Sequence, residues 1–579
     1  SFEDAPSIAN DIIQLKSSLL MRLLVLCVCL IVSLYIAIAN DSKALPIIEL
    51  LNKRTQTNVF LFVNTVIGLL AAFTSYTVIS CGLSKLFSLK ADCDTLSAVT
   101  TVTSIIMSMV MFTNTNLIRG SFVHIYIPVA IISLLFNTIG KLLIVSRTQR
   151  SFNFVSGASD KYAIFEIQDE EQAQSFTKGT LKDFPSLAAM RKTEFLSDFL
   201  KTSYSSDATD RFCNIFSPIV IVISIIAGLL AGFLSNSEHN GAGVYIGISV
   251  FNACVALCSG FSIMLIVNVP MAAVTKKYAE NQGVILGYDA IDEFAETNSL
   301  LIDAKELFPQ GSVNLSAIKV FSDTRIDEAI VEAASLTSQA DSILKNMFYD
   351  IITGKTELLN PVESYIFEDS MGLCGWINNK RVLLGNRDLM INHSIEGMPA
   401  EAKEKEYTAN GRSAIYLSIS GELSAMFVIE LTPSLEVKNA LKNLQKNDIY
   451  TIIRSVDSVI TINKLSDMFD ISPELFKLIP FRIHPEFDEI TSYQPRQKAT
   501  LACSGRFSVF SSLILACKRI KGTIGVGLGL QALSMILGVL ICVAMVILKS
   551  YDGLSVSMIT AYCSIFTIAL LIYQAFRKL

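Results

Sequence analysis

Charge is scarce in this sequence. Only 17% of its residues are Asp, Glu, Lys or Arg, against roughly a quarter in soluble globular domains, while 51% are hydrophobic and the mean hydropathy is +0.49. A deficit of that size points towards lipid and away from a soluble enzyme. The net charge is −5 over 579 residues, which excludes the basic surface of a nucleic-acid binder. Among the twelve cysteines there is no CxxC pair and no zinc-ligand spacing, so a redox or structural-zinc reading lacks its motif. Cys27, Cys29, Cys254, Cys258, Cys542 and Cys563 fall inside apolar runs, where cysteine acts as a small buried hydrophobe. Those runs also hold almost no Asp, Glu or His, so a proton or hard-cation path has no visible carriers. The first residue is Ser rather than Met, and a fragment or processed chain with a missing N-terminal domain is expected.

What the chain does have is long apolar runs. A bilayer span needs about 20 predominantly apolar residues. Eight stretches qualify, centred on 19–39, 59–80, 96–112, 125–145, 215–234, 244–274, 524–548 and 555–575. The third is rich in Thr and Ser, and the sixth is long enough to be tilted or broken. Two polar insertions interrupt them, at 146–211 and at 276–518. Lys141, Arg147 and Arg150 follow the fourth run, Lys276 and Lys277 the sixth, Lys518, Arg519 and Lys521 precede the seventh, and Arg577 and Lys578 close the chain. Eight spans place all of these on one side, so the positive-inside rule makes both insertions cytoplasmic. Lys43, Lys53 and Arg54, in the first outer loop, run against that rule. The larger insertion reads as α/β: strands at 299–303 (SLLID), 414–419 and 423–430 with a turn at Gly421, an amphipathic helix at 435–444, and a strand at 449–453. Strand, helix and strand in that order predict a parallel sheet. In the small insertion, 162–165 predicts a strand and Asp169-Glu170-Glu171 a solvated charge run.

Four spans, a small insertion, two spans, a large insertion and two spans is a pattern that resembles the heavy-metal-transporting P-type ATPases, and local motifs carry the resemblance over about 90–579. Val269-Pro270-Met271 leads through Thr275-Lys276-Lys277 to Gly283-Val-Ile-Leu-Gly287, similar to that family's metal-site span with its kinking proline. The 298–311 stretch, with Asp303 at the end of its strand, resembles the segment D-K-T-G-T-L-T-x-G. Trp376 to Met390, containing V-L-L-G-N, resembles the nucleotide-domain hairpin, and Asn410-Gly411-Arg-Ser-Ala-Ile-Tyr416 with Leu431-Thr-Pro433 resembles the return into the phosphorylation domain. The resemblance implies a multi-pass α-helical membrane protein with cytoplasmic α/β insertions, including a HAD-like phosphorylation domain with an inserted nucleotide-binding-like α+β domain. The implied units are four transmembrane helices in 1–145, a reduced actuator-like domain in 146–211, helices five and six in 212–275, a truncated phosphorylation-like domain in 276–312 and 431–518, a nucleotide-binding-like domain in 313–430, and helices seven and eight in 519–579. The expected setting is a bacterial plasma membrane, and the expected partners are the lipid bilayer and a protein or nucleotide, not nucleic acid.

Against that family's chemistry the motifs are eroded. Asp303 stands at the phosphorylation position, but Ala304-Lys305-Glu306-Leu307 replaces K-T-G-T. There Glu306 sets a negative charge where a phosphate must sit, and the bland reading of Asp303 is an acid solvated at a strand end. Arg454-Ser455-Val456-Asp457 stands for T-G-D-N, leaving Asp457 as the second candidate acid. Where G-D-G-x-N-D belongs, the chain reads Cys503-Ser-Gly505-Arg506, a cation in place of magnesium's carboxylates. No T-G-E triplet occurs in 146–211, and His484-Pro485 stands far from the nucleotide-domain H-P. Gly372, Gly375, Gly385 and Asn386 are the remaining nucleotide candidates. In the membrane, Asn268, Pro270 and Met271 are the candidate cation site, since a proline in a span frees a carbonyl; a kinked packing helix is the bland reading. Cys254 and Cys258, one turn apart, read as core. The leading expectation is a pump scaffold with decayed catalysis and a scaffold, binding or regulatory role. The alternatives are an active heavy-metal-translocating ATPase with divergent motifs, for which ATP and Mg2+ would be cofactors, and a channel or secondary transporter unrelated to pumps.

Overall fold

The computed structural model describes the chain apart from residues 1–4, 42–44, 181–183, 237–240, 322–323 and 578–579, so Ser1, Lys43 and Lys578 lie outside the described residues. Apolar runs become helices where they are long enough to satisfy their own backbone in lipid. These are α1 (Ala5–Asp41), α2 (Thr57–Thr74), α3 (Tyr76–Phe87), α4 (Thr95–Val110), α5 (Ile127–Val155), α6 (Ala208–Asn236), α7 (Gly243–Ser259), α8 (Ile263–Ala279), α9 (Phe507–Ile547) and α10 (Val556–Phe576). Among the described residues eight spans are long and apolar enough to cross a membrane, with α7 and α8 forming one of them. The second expected run divides at Ser75 into α2 and α3. Cys27 faces outward on α1 instead of lying in the core.

The α7–α8 span is the centre of the bundle, with 94% of its apolar window buried. It is broken at Gly260, whose φ of +50° is a conformation that side-chain-bearing residues avoid. Pro270, expected to make the kink, instead lies inside the continuous α8. A proline has no N–H, so the carbonyl of Ile266 loses its helical donor. Gln574 of α10 supplies one: its Nε2 donates to Ile266 O at 3.1 Å and to Leu265 O at 3.3 Å.

Outside the membrane the strands are β1 (Lys161–Glu166) and β2 (Leu187–Ser197) in the small insertion. The large insertion follows with β3 (Gly283–Ile285), β4 (Ser299–Asp303), β5 (Val313–Val320), β6 (Val362–Glu368), β7 (Gly372–Ile377), β8 (Lys380–Gly385), β9 (Ser413–Ile419), β10 (Glu422–Leu431), β11 (Tyr450–Arg454), β12 (Phe476–Leu478), β13 (Gln494–Lys498) and β14 (Leu501–Cys503). The strands β5 to β10 close among themselves into a six-stranded sheet in the order β5-β10-β9-β8-β7-β6, nested between β4 and β11. The remaining strands form one eight-stranded sheet, ordered β12-β11-β4-β2-β1-β14-β3, with β13 on β2. The β12, β11, β4 and β2 strands run parallel, as an α/β segment should.

The small insertion, expected as a domain of its own, therefore puts both its strands into the sheet of the large one. β2 pairs with β4 and β1 with β14, and Ala163, Ile164, Leu187, Ala188 and Ala189 are fully buried. The acidic run 169–171 is exposed, as expected of solvated charge, and also begins a helix: Asp169 caps Glu170–Thr177 by accepting from Glu171 N. The 41-residue α9 is about 60 Å long at 1.5 Å per residue, twice the hydrocarbon thickness. Its first turns, from Phe507 to Cys517, are buried in the same core as β4 and β11, so a rigid rod carries the sheet into the bilayer. A small insertion moving as a separate body would have to break two β ladders. Amide hydrogen exchange of the full chain is accordingly expected to show β1 and β2 as protected as β4; markedly faster exchange in β1 and β2 would contradict the shared sheet.

Candidate functional site

Asp303 ends the fully buried strand β4 and starts the short helix Ala304–Leu307 as its N-cap. Its Oδ1 accepts from Lys305 N at 3.0 Å, and Glu306 Oε1 accepts from Asp303 N at 3.4 Å. D-A-K-E is thus a capping box, a helix-start signal written in the sequence. It replaces the two readings made from charge alone. Asp303 is 5% exposed, not a solvated acid. Glu306 is half-buried with its Oε2 shut away from solvent, and burial pushes its carboxyl up to about 8, which favours the neutral form over a repelling anion at pH 7. Burial also raises the Asp303 carboxyl, with the Lys305 and Arg454 charges working against it.

The residue that sequence reasoning passed over is Arg454. β11 lies parallel to β4 in a register that sets Arg454 opposite Asp303, and their side chains meet as a buried ion pair, Nη1 to Oδ2 at 3.1 Å. Both terminal nitrogens also reach the inserted domain, while Nε lies 3.7 Å from the Asp488 carboxylate of the helix His484–Thr491. Nη1 donates to Asp341 O at 3.5 Å and Nη2 to Ala340 O at 3.4 Å. Two more bonds hold the same loop: Lys305 pairs with the Asp341 carboxylate, and Ser342 donates to Asp457. Asp457, which also accepts from Ile343 N at 3.1 Å, is pushed up to about 6 by burial. Asp303 and Asp457 are therefore brought near one another, and residues 340–343, following the helix Ile326–Gln339, are bonded to Arg454, Asp457 and Lys305 beside them. A second seam closes nearby. Phe481 N donates to Asp369, in the turn between β6 and β7, at 2.9 Å, and His484 stacks against Phe367 of β6. His484-Pro485 thus opens a packing helix, and burial pulls His484 down to about 4.

Gly505 and Arg506 do not join them. They follow β14, and β2 and β1 stand between β14 and β4, three strand spacings or on the order of 14 Å. Arg506 donates to Asn281 O at 3.1 Å instead. The nucleotide candidates are likewise occupied. Gly372 and Gly385 face each other across β7 and β8, and a Cβ on Gly372 would lie 2.5 Å from Gly385 Cα. A Cβ on Gly375 would lie 2.6 Å from Leu336 Cδ1, so the space above it belongs to a buried leucine. Asn386 caps the helix Arg387–Asn392, accepting from Leu389 N at 3.1 Å. These glycines serve close strand packing and the asparagine serves a helix start.

In the membrane, Asn268 and Met271 are fully buried on α8. Asn268 Nδ2 donates to Met264 O at 2.8 Å while its Oδ1 is buried without a hydrogen-bond partner, and the carbonyl freed by Pro270 is taken by Gln574, so the three candidates share a helix and leave one amide oxygen unpaired. Cys254 and Cys258 of α7 meet Cys542 of α9 within thiol hydrogen-bonding reach. The Sγ atoms of Cys258, Cys542 and Cys563 donate to the carbonyls of Met535, Val250 and Ala256, as structural thiols do. Among the described residues no three His, Cys, Asp or Glu side chains are grouped as metal ligands.

The residues around Asp303 do not fit Mg2+ or a nucleotide phosphate: the cation is a guanidinium and the volume is protein. What the arrangement does is hold two acids and one arginine in a closed, dry network. Replacing Arg454 by Ala is expected to cost about 3–5 kcal/mol in unfolding free energy by leaving Asp303 buried and unpaired, with Arg454→Met plus Asp303→Asn recovering most of it. Glu306 gives a pH signature. Its folded value lies above the unfolded one, so its contribution is complete below about pH 4 and is lost as pH rises towards 8, by about 1.4 kcal/mol per pH unit. Thermal midpoints of wild type and Glu306→Gln should therefore diverge in favour of the variant as pH rises; a pH-independent gap would contradict a neutral Glu306.

No family model matches the chain. Among curated proteins, it is 22% identical over 265 residues to a copper-exporting P-type ATPase of Legionella pneumophila, covering 46% of this chain and 35% of that one. It is 24% identical over 280 residues to the cation-transporting ATPase HMA5 of rice (43% and 28%), and 19% identical over 246 residues to a silver exporting P-type ATPase of Salmonella typhimurium (42% and 29%). The chain thus spans about a third of the length of these relatives. Among solved structures, a zinc-transporting PIB-type ATPase in its E2.Pi state aligns over 94% of this chain and 99% of that one at 14% identity and a TM-score of 0.44. A second structure of a zinc-transporting PIB-type ATPase aligns at 13% identity and a TM-score of 0.45, over 95% and 99%. Over 42–46% of its length, then, the chain is similar in sequence to heavy-metal P-type ATPases, and among its described residues eight spans are long and apolar enough to cross a membrane.

Proposed function

We propose that this is a P-type ATPase-like membrane protein that has lost the phosphorylation cycle and works as a scaffold, through binding or regulation in the bilayer. The observation that carries the reading is the buried Arg454–Asp303 pair beneath residues 340–343. Aspartyl phosphorylation needs a carboxylate oxygen free to attack in line, a metal to neutralise the transferring phosphoryl group and room for the nucleotide. Here the attacking oxygen faces a guanidinium that cannot be deprotonated, and the approach is filled by backbone. Opening it would strip Arg454 and Asp457 of buried partners at the same moment, at a cost of several kcal/mol. Leu336 over Gly375 supports loss of the nucleotide pocket as well.

The relatedness to pumps argues against an unrelated channel or secondary transporter. An active pump with divergent motifs remains the reading that experiment must separate. Incubation of the purified full chain with labelled ATP and Mg2+ is expected to leave no acid-stable, hydroxylamine-sensitive label. A label of that kind that vanishes in Asp303→Asn would overturn the proposal.

A further inference from the structure

A polar pocket of about 510 Å³ opens at the inner ends of α5 and α8, away from the network around Asp303. Its lining includes Arg150, Asn153 and Ser159 from the end of α5 and the loop after it, and Lys276, Glu280 and Gln282 from the end of α8. Arg150 and Lys276 are exposed, and neither makes an ion pair among the described residues. The walls are held from outside. Lys161 Nζ donates to Gly157 O at 2.6 Å and Ser159 O at 3.3 Å, fixing the loop. Arg506 holds Asn281 O at 3.1 Å beside Gln282.

The level of the pocket follows from helix geometry. α5 and α8 run side by side, with Gly140 abutting Met264. About 20 residues from Ile127 cross the hydrocarbon, which sets its inner edge near residue 146. Arg150 is then on the order of 6 Å beyond that edge, inside the headgroup layer. Lys16 of α1 meets Gln149 there at 2.9 Å, adding a third cation at this depth. Two unpaired cations converging with amide and hydroxyl donors on a concave surface at headgroup depth are the chemistry that retains phosphate esters.

We propose that Arg150 and Lys276 bind the phosphate of an anionic headgroup in this pocket. Glu280, on the same wall, opposes the ligand and sets the affinity below what the two cations alone would give. This inference is independent of whether pump chemistry survives.

The test uses the full chain in nanodiscs of phosphatidylcholine with phosphatidylglycerol, reading retained lipid by native mass spectrometry. Wild type is expected to retain phosphatidylglycerol preferentially, Arg150→Gln and Lys276→Gln to lower that retention roughly five-fold each, and Glu280→Gln to raise it. The opposite sign of the last variant separates binding from a general loss of fold. Displacement by inorganic phosphate would assign the same site to a free phosphate, and failure to displace assigns it to lipid. Equal retention in wild type and the double variant, without phosphate binding in wild type, would overturn the proposal.

Discussion

The ion pair between Asp303 and Arg454 organises everything around it. A carboxylate buried at a strand end needs a cation or a proton, and the parallel register of β4 and β11 provides the cation directly opposite. The guanidinium brings its own demand, because its remaining N–H groups must also find acceptors in a dry site. Two of those acceptors are main-chain carbonyls of residues 340 and 341, so the pair draws the edge of the nested domain over the site. Once there, that loop satisfies Asp457 through Ser342 and Ile343 and pairs Asp341 with Lys305. The arginine's hydrogen bonds thus join a seam that Lys305, Asp457 and a shared apolar core also hold.

The same economy of partners runs through the rest of the molecule. The glycines that would leave room for a nucleotide let β7 and β8 approach each other and admit Leu336. The carbonyl that Pro270 releases in the membrane meets Gln574, and the intramembrane thiols donate to backbone oxygens. Fusion of the small insertion into the central sheet, and the passage of α9 from that sheet into the bilayer, make the water-facing region a single body continuous with the bundle.

Much of the fold was legible in the sequence because it rests on local signals. Eight apolar runs became eight spans, and strands expected at 299–303, 414–419 and 423–430 stand at Ser299–Asp303, Ser413–Ile419 and Glu422–Leu431. The site was legible to a lesser degree. Asp303 and Asp457 do converge, and D-A-K-E carried a capping box that charge reasoning overlooked in favour of repulsion. The break of the central span at Gly260 instead of Pro270 was misjudged because proline tolerates a helix wherever another side chain takes the freed carbonyl.

Composition and periodicity alone gave eight runs long and apolar enough to cross a membrane and an α/β larger insertion, because hydrophobic length and alternation act over tens of residues. The residues themselves, read motif by motif, lack K-T-G-T after Asp303, T-G-E in 146–211 and G-D-G-x-N-D. Only the tertiary structure decided that β1 and β2 enter the sheet between β4 and β14, that Arg454 faces Asp303 across 151 positions of chain, and that Gln574 meets Ile266. Each of those depends on strand register or helix packing between segments far apart in sequence, and a one-residue slip in a strand would turn every such side chain to the opposite face.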